Sequence, residues 1–147
     1  MVFMPQTIRT LIFFALLVLP FVAYGQQTGE AGPIRSSAAY SEVLLRKTEL
    51  IADIEAFLEG YTEANPRVID ARFELASLER SLEKIFAVKA TETGKLTLAL
   101  GKLIVKRAAL ETDANRLART YNADHPELKR AKRRIEIFDT AIKEVLR

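Results

Sequence analysis

The chain has no cysteine and no tryptophan, and its one histidine is His125. Without cysteine there can be no disulfide, no lipid attached through an N-terminal cysteine and no thiolate metal site. A domain of this composition outside the cytoplasm has to hold together by packing alone. A lone histidine cannot assemble a zinc site. The turn around it offers Asn122 and Asp124 but no nucleophile for a base to activate, so His125 reads as a turn residue ahead of Pro126. An excess of one charge is missing too: 22 Lys and Arg stand against 19 Asp and Glu. That balance gives no electrostatic mandate for nucleic acid. Gly-rich phosphate loops, Ser/His/Asp arrangements and dinucleotide fingerprints are all lacking. The sequence therefore predicts no enzyme, no cofactor and no metal-binding residue.

Long apolar runs are confined to one place. Residues 1–25 carry a single charge, Arg9, then an unbroken apolar stretch from Leu11 to Leu19. Pro20 ends that stretch, and Ala23-Tyr24-Gly25 places small residues at the −3 and −1 positions before Gln26. This is the layout of a secretory signal peptide over 1–25. The competing reading is an uncleaved membrane anchor, but Leu11 to Tyr24 falls short of the roughly 20 residues that a spanning helix needs. Cleavage leaves 21 Lys and Arg against 19 Asp and Glu, no further membrane span, and a periplasmic or secreted protein. Residues 26–40, rich in Gly, Ser, Gln and Ala with Pro33, read as a flexible linker.

From Ser41 to Arg147 apolar residues recur at alternating steps of three and four, the signature of helices with one buried seam. The first seam runs Val43, Leu50, Ile54, Phe57, Tyr61. The second has Val68, Ala71, Leu75, Leu78, Leu82, Ile85. The third is Leu96, Leu100, Leu103, Leu110, Ala114, Leu117, Tyr121, with Arg107 as a charged intruder. The fourth shows Leu128, Ala131, Ile135, Phe138, Ile142, Val145. Asn65 before Pro66 is a helix cap, Ala90–Gly94 makes a second turn, and His125-Pro126 repeats the logic of the first.

A shift of 60 residues lays Tyr61 on Tyr121, Pro66 on Pro126, Leu50 on Leu110, Asp53 on Asp113 and Ala71 on Ala131. Identities are few, but every seam position stays apolar, so the chain reads as two copies of one helical hairpin, 41–90 and 95–147. One hairpin is too small to offset its chain entropy, so the two should pack together. Leu44, Ile51 and Leu58 widen the first stripe beyond a two-stranded contact. The fold class predicted is all-α: a four-helix bundle or antiparallel coiled-coil arrangement of two repeated hairpins. Glu42, Glu49, Asp53, Glu55 and Glu59 make the first helix acidic, whereas the fourth carries seven basic residues, so these two helices are expected to attract.

Two features point to partners. Ile69 and Phe73, with Ala76, form a small apolar stripe off the second seam, a place for a protein partner or self-association. Lys129, Arg130, Lys132, Arg133 and Arg134 form the densest basic run, which suits an anionic envelope polymer. The acidic residues of the first helix fall outside its seam and lack the Glu-x-x-His motif of di-metal bundles.

The segments Leu58-Glu-Gly-Tyr61-Thr-Glu-Ala-Asn-Pro66-Arg-Val68 and Tyr121-Asn-Ala-Asp-His125-Pro126-Glu-Leu128 resemble the turn between long periplasmic helices of polysaccharide co-polymerases, the chain-length determinant and exopolysaccharide-transport proteins of bacterial envelopes. The resemblance implies a helix–turn–helix hairpin in an envelope protein and carries no functional residue across. The expected function is an exported binding or scaffold module. The alternatives are an accessory of envelope polysaccharide export and a carboxylate-based metal enzyme.

Overall fold

Every long helix opens on a capping residue, and the computed structural model, which describes residues 31–147, places four of them. After a short helix α1 (Ala31–Arg35) come α2 (Ala38–Gly60), α3 (Pro66–Phe86), α4 (Leu98–Thr120) and α5 (Pro126–Leu146), with a 3-10 turn at Ala90–Lys95 between α3 and α4. Ser37 accepts from the Tyr40 backbone N–H at 3.3 Å and Thr97 accepts from Leu100 at 3.3 Å. Asn65 accepts from Arg67 at 2.9 Å and His125 Nδ1 accepts from Glu127 at 3.3 Å, each with Pro in the first helical position. Tyr61 and Tyr121 end α2 and α4 in extended backbone, their N–H groups donating to Phe57 and Leu117 at 2.8 Å. The expected signal segment lies outside the described residues.

The helix boundaries follow the 60-residue shift. Helices α2 and α4 span 23 residues each and α3 and α5 span 21, at boundaries 60 residues apart. Within the first hairpin Lys47 pairs with Glu79 at 2.8 Å, and the shifted pair, Arg107 with Asp139, closes the second hairpin at 2.9 Å. Removing the first hairpin's cap by Asn65→Ala should lower stability by about 1 kcal/mol, read as a lower thermal midpoint.

The protein is an all-α helical bundle in which α2 packs on α3, α4 on α5, and α4 on both α2 and α3. The core is shared by Val43, Leu50, Leu78, Leu82, Ile85, Leu100, Ile104 and Ala108. Because α4 touches three helices, it buries more than one seam: Ile104, Ala108 and Thr112 join Leu100, Leu110 and Ala114 in the interior. Helix α5 packs along α4 and not along α2, so its seam residues Ile135, Phe138, Ile142 and Val145 are half-buried. The acidic α2 and basic α5 therefore do not face each other as charge alone suggested. Residues 31–40, expected to be linker, contribute α1 and the first turn of α2, because Ile34 and Ala39 are buried and Ser37 supplies a cap.

Three polar residues of α3 are buried between it and its neighbours. Glu74 accepts from Arg46 Nε at 2.8 Å, and this hydrogen bond holds the Arg46 guanidinium's pKa above its ordinary value. The Ser77 hydroxyl donates to Glu111, and Ser81 accepts from Arg107 at 3.2 Å. Each of these three side chains thus has a partner, which is the condition for keeping it in the interior, whereas the buried Nε of Arg107 has none among the described residues.

Candidate interaction surface

Two adjacent antiparallel helices leave a groove between them, and in the first hairpin α4 lies in it. Near the Pro66 end, that groove is lined by Leu50, Asp53 and Phe57 of α2 and by Arg67, Asp70, Ala71 and Glu74 of α3, with Ala109, Thr112 and Arg116 of α4 against it. Asp70 takes the two cations that α4 brings, Arg116 at 3.8 Å and Arg119. Higher up, Ser77 meets Glu111 and Ser81 meets Arg107.

Among the described residues, the second hairpin presents the same groove with no third helix lining it. Leu110, Asp113 and Leu117 of α4 and Glu127, Arg130, Ala131 and Arg134 of α5 line a space of about 400 Å³. These seven are the α2–α3 lining residues displaced by 60, one for one. What changes is the charge. Arg46 keeps its sign as Lys106 and Arg67 becomes Glu127, but Asp70 becomes Arg130 and Glu74 becomes Arg134, so the seven go from a net −2 to 0 with a cationic stretch at Arg130 and Arg134. Arg116 adds to it from α4. Arg134 makes no ion pair with any described residue, whereas its counterpart Glu74 is paired.

The basic run is thereby divided among faces. Arg130, 3.8 Å from Glu127, and Arg134 line the groove. Lys129 pairs with Asp124 at 3.0 Å and Arg133 with Glu136 at 3.2 Å, both exposed. Lys132 faces a second depression together with Phe73, between α3 and α5 above Ala114. Phe73 is half-buried there and Ile69 is exposed, so the apolar stripe expected on α3 is split as well.

Sequence reading missed Ile137 of α5, 59 % exposed and set where Ser77 stands in α3. Leu44, Ile51 and Leu58 were read as bundle contacts, yet they lie 40 %, 40 % and 37 % exposed on the side of α2 away from its neighbours. Aligning the two hairpins residue by residue would have marked Ile137 and Ile51, which stand where Ser77 and Glu111 pair, but not Leu44 or Leu58, whose counterparts Ile104 and Ala118 are apolar too.

A further cavity of about 120 Å³ sits between α3, α4 and α5, walled by Ile85, Leu100, Ile104, Ile142 and Leu146. It is smaller than the roughly 300 Å³ at which small-molecule sites begin. Arg107 stands at its edge, 2.9 Å from Asp139 and 3.7 Å from Glu111, and ties α5 to α3 through Ser81. Among the described residues no group of three or more His, Cys, Asp or Glu side chains is placed to hold a metal ion, and no helix is long and apolar enough to cross a membrane. Set against protein-family models, curated proteins and solved structures, the chain matches none.

Proposed function

We propose that this chain is an exported helical scaffold that acts by binding, with the α4–α5 groove as its recognition surface. The observation that carries this reading is the pair of grooves. The same seven positions hold a helix in the first hairpin and no described helix in the second, where Arg130 and Arg134 replace Asp70 and Glu74. Surfaces that are apolar at the floor and charged at the rim suit an amphipathic helix. The N-terminal apolar segment supports export, and the resemblance of the two Tyr–Pro turns to periplasmic hairpins supports an envelope setting.

The test is photo-crosslinking in the native envelope. A photoreactive residue at Ala131 or Arg134 should capture a protein, while one at Glu83, exposed on α3, should not. Absence of adducts from the groove positions, or equal yields from Glu83, would remove the reading. A second reading, an accessory of envelope polysaccharide export, draws on the same cations. It predicts that an acidic glycan is retained by the protein and released by Arg130→Glu.

A further inference from the structure

The two hairpins meet in a way that does not close on itself. A two-fold axis exchanging them would pair α2 with α5 as it pairs α3 with α4, because an isologous contact uses the same patches twice. Among the described helices α3 packs on α4 and α2 does not pack on α5. The contact is head to tail: one face of α4 enters the groove of the hairpin before it. Head-to-tail contacts repeat unless something caps them.

Both unmatched ends of this arrangement are exposed. One is the α4–α5 groove. The other is the face of α2 that corresponds, 60 residues earlier, to the face α4 buries in the first hairpin. Ile104, buried, corresponds to Leu44 and Glu111, half-buried, to Ile51, and these two α2 residues are each 40 % exposed. We infer that copies of this chain assemble head to tail, with α2 of one copy in the α4–α5 groove of the next. This rests on the groove being the recognition surface and names its occupant.

The pairings in that register decide for a second copy. Ser77 and Glu111, hydrogen-bonded within the chain, are replaced by Ile137 and Ile51 of the second copy, two exposed isoleucines that bury each other. Asp70 with Arg119 is replaced by Arg130 with Glu59 of the second copy, the same ion pair with its signs exchanged. Lys106 and Arg134, which stand where Arg46 and Glu74 pair, are like charges needing an anion from outside. The second copy brings Glu49 and Asp53 to that stretch, where α4 brings Ala109 and Asp113 to the first groove. Charge inversion on both sides of one contact is what makes the groove choose α2 and refuse the chain's own α4. At the position of Gly101 the second copy carries Ser41, so the copies lie farther apart at that end than α2 and α4 do.

The purified full chain, followed by analytical ultracentrifugation, tests this. Average mass should climb with concentration past two copies. Ile51→Asp and Ile137→Asp should each weaken association at least about a hundredfold, since either puts a charge against an apolar partner. Both positions face solvent in the single chain, so helicity and thermal midpoint should hold. Each variant keeps one intact surface. Mixed in equal amounts, they should form a two-copy species and stop there. Arg130→Glu should weaken assembly and Glu59→Arg in the same chain should restore it. A wild-type protein that stays a monomer, single variants that assemble as wild type does, or a mixture that fails to pair would each overturn the inference. A monomer whose groove still crosslinks a foreign protein would sink this assembly and leave the binding reading standing. A monomer with no groove adducts would end both.

Discussion

Leu78→Asp should abolish the folded state. Leu78 is, with Leu100, the largest fully buried side chain among the described residues, at 0 % exposure, and its α3 seam faces the core shared with α2 and α4. Removing a buried leucine side chain costs about 2–5 kcal/mol through lost transfer and cavity formation. The introduced carboxylate has no cation or donor reserved for it, because Arg46, Lys47 and Arg107 are already engaged by Glu74, Glu79 and Asp139. Leaving a buried carboxyl unsatisfied adds several kcal/mol more. The total is on the order of the entire stability of a domain, about 5–15 kcal/mol. Circular dichroism should show the loss of cooperative thermal unfolding and most of the helical signal. Leu78→Met, which keeps the volume, should cost less than about 1.5 kcal/mol. Unchanged helicity in the Asp variant would mean that the seam points elsewhere.

The seams were legible because burying apolar area at a 3.6-residue period is the strongest regularity in a helical sequence. Val43, Leu50, Val68, Leu78, Leu82, Leu100 and Leu110 are buried where the pattern put them, and Pro66 and Pro126 open the helices they were expected to open. Polar contributions were not legible. Glu74, Ser77 and Ser81 lie off the second seam, and each is satisfied in the interior by a hydrogen-bond partner on another helix, which no local pattern records. Arg107 was visible as a charge inside a seam, but its partners on α3 and α5 were not.

The stacking of the hairpins was less readable still. The widened α2 stripe says that Leu44, Ile51 and Leu58 want cover, without saying whose. Net charge favoured α2 beside α5 within one chain, yet the first hairpin meets α4 through individual pairs such as Asp70 with Arg119, and these outweigh the bulk sign of a helix. Surface ion pairs are each worth little. They set register where apolar contacts supply the driving force, so a reading built on total charge per helix misplaces the partner. Compared position by position across the 60-residue shift, the same charges locate it.

The close approach of α2 and α4 depends on one residue that no seam contains. Gly101 is buried, and a Cβ built on it would lie 2.7 Å from Glu42 Cβ, 3.0 Å from Ala39 Cα and 3.0 Å from the Ala39 carbonyl oxygen. Two of those atoms are backbone and cannot swing aside. In an isolated helix Gly→Ala would gain up to about 1 kcal/mol of propensity. Here Gly101→Ala forces α4 away from α2 near its first turn, where Ala39, Val43 and Leu100 are all fully buried. Overpacking of this kind costs about 1–3 kcal/mol, enough to outweigh the propensity gain. Gly101→Val adds a branched side chain in the same space, and its loss should exceed that of the alanine variant. Chemical denaturation of the three proteins should therefore rank wild type above Ala above Val at an unchanged m-value. Gly60→Ala provides the control. It ends α2 with nothing within 4 Å of its Cβ position, so the same substitution should leave the midpoint level or raise it. An alanine at 101 that stabilises the protein would show that the two helices are not held at the distance Gly101 allows.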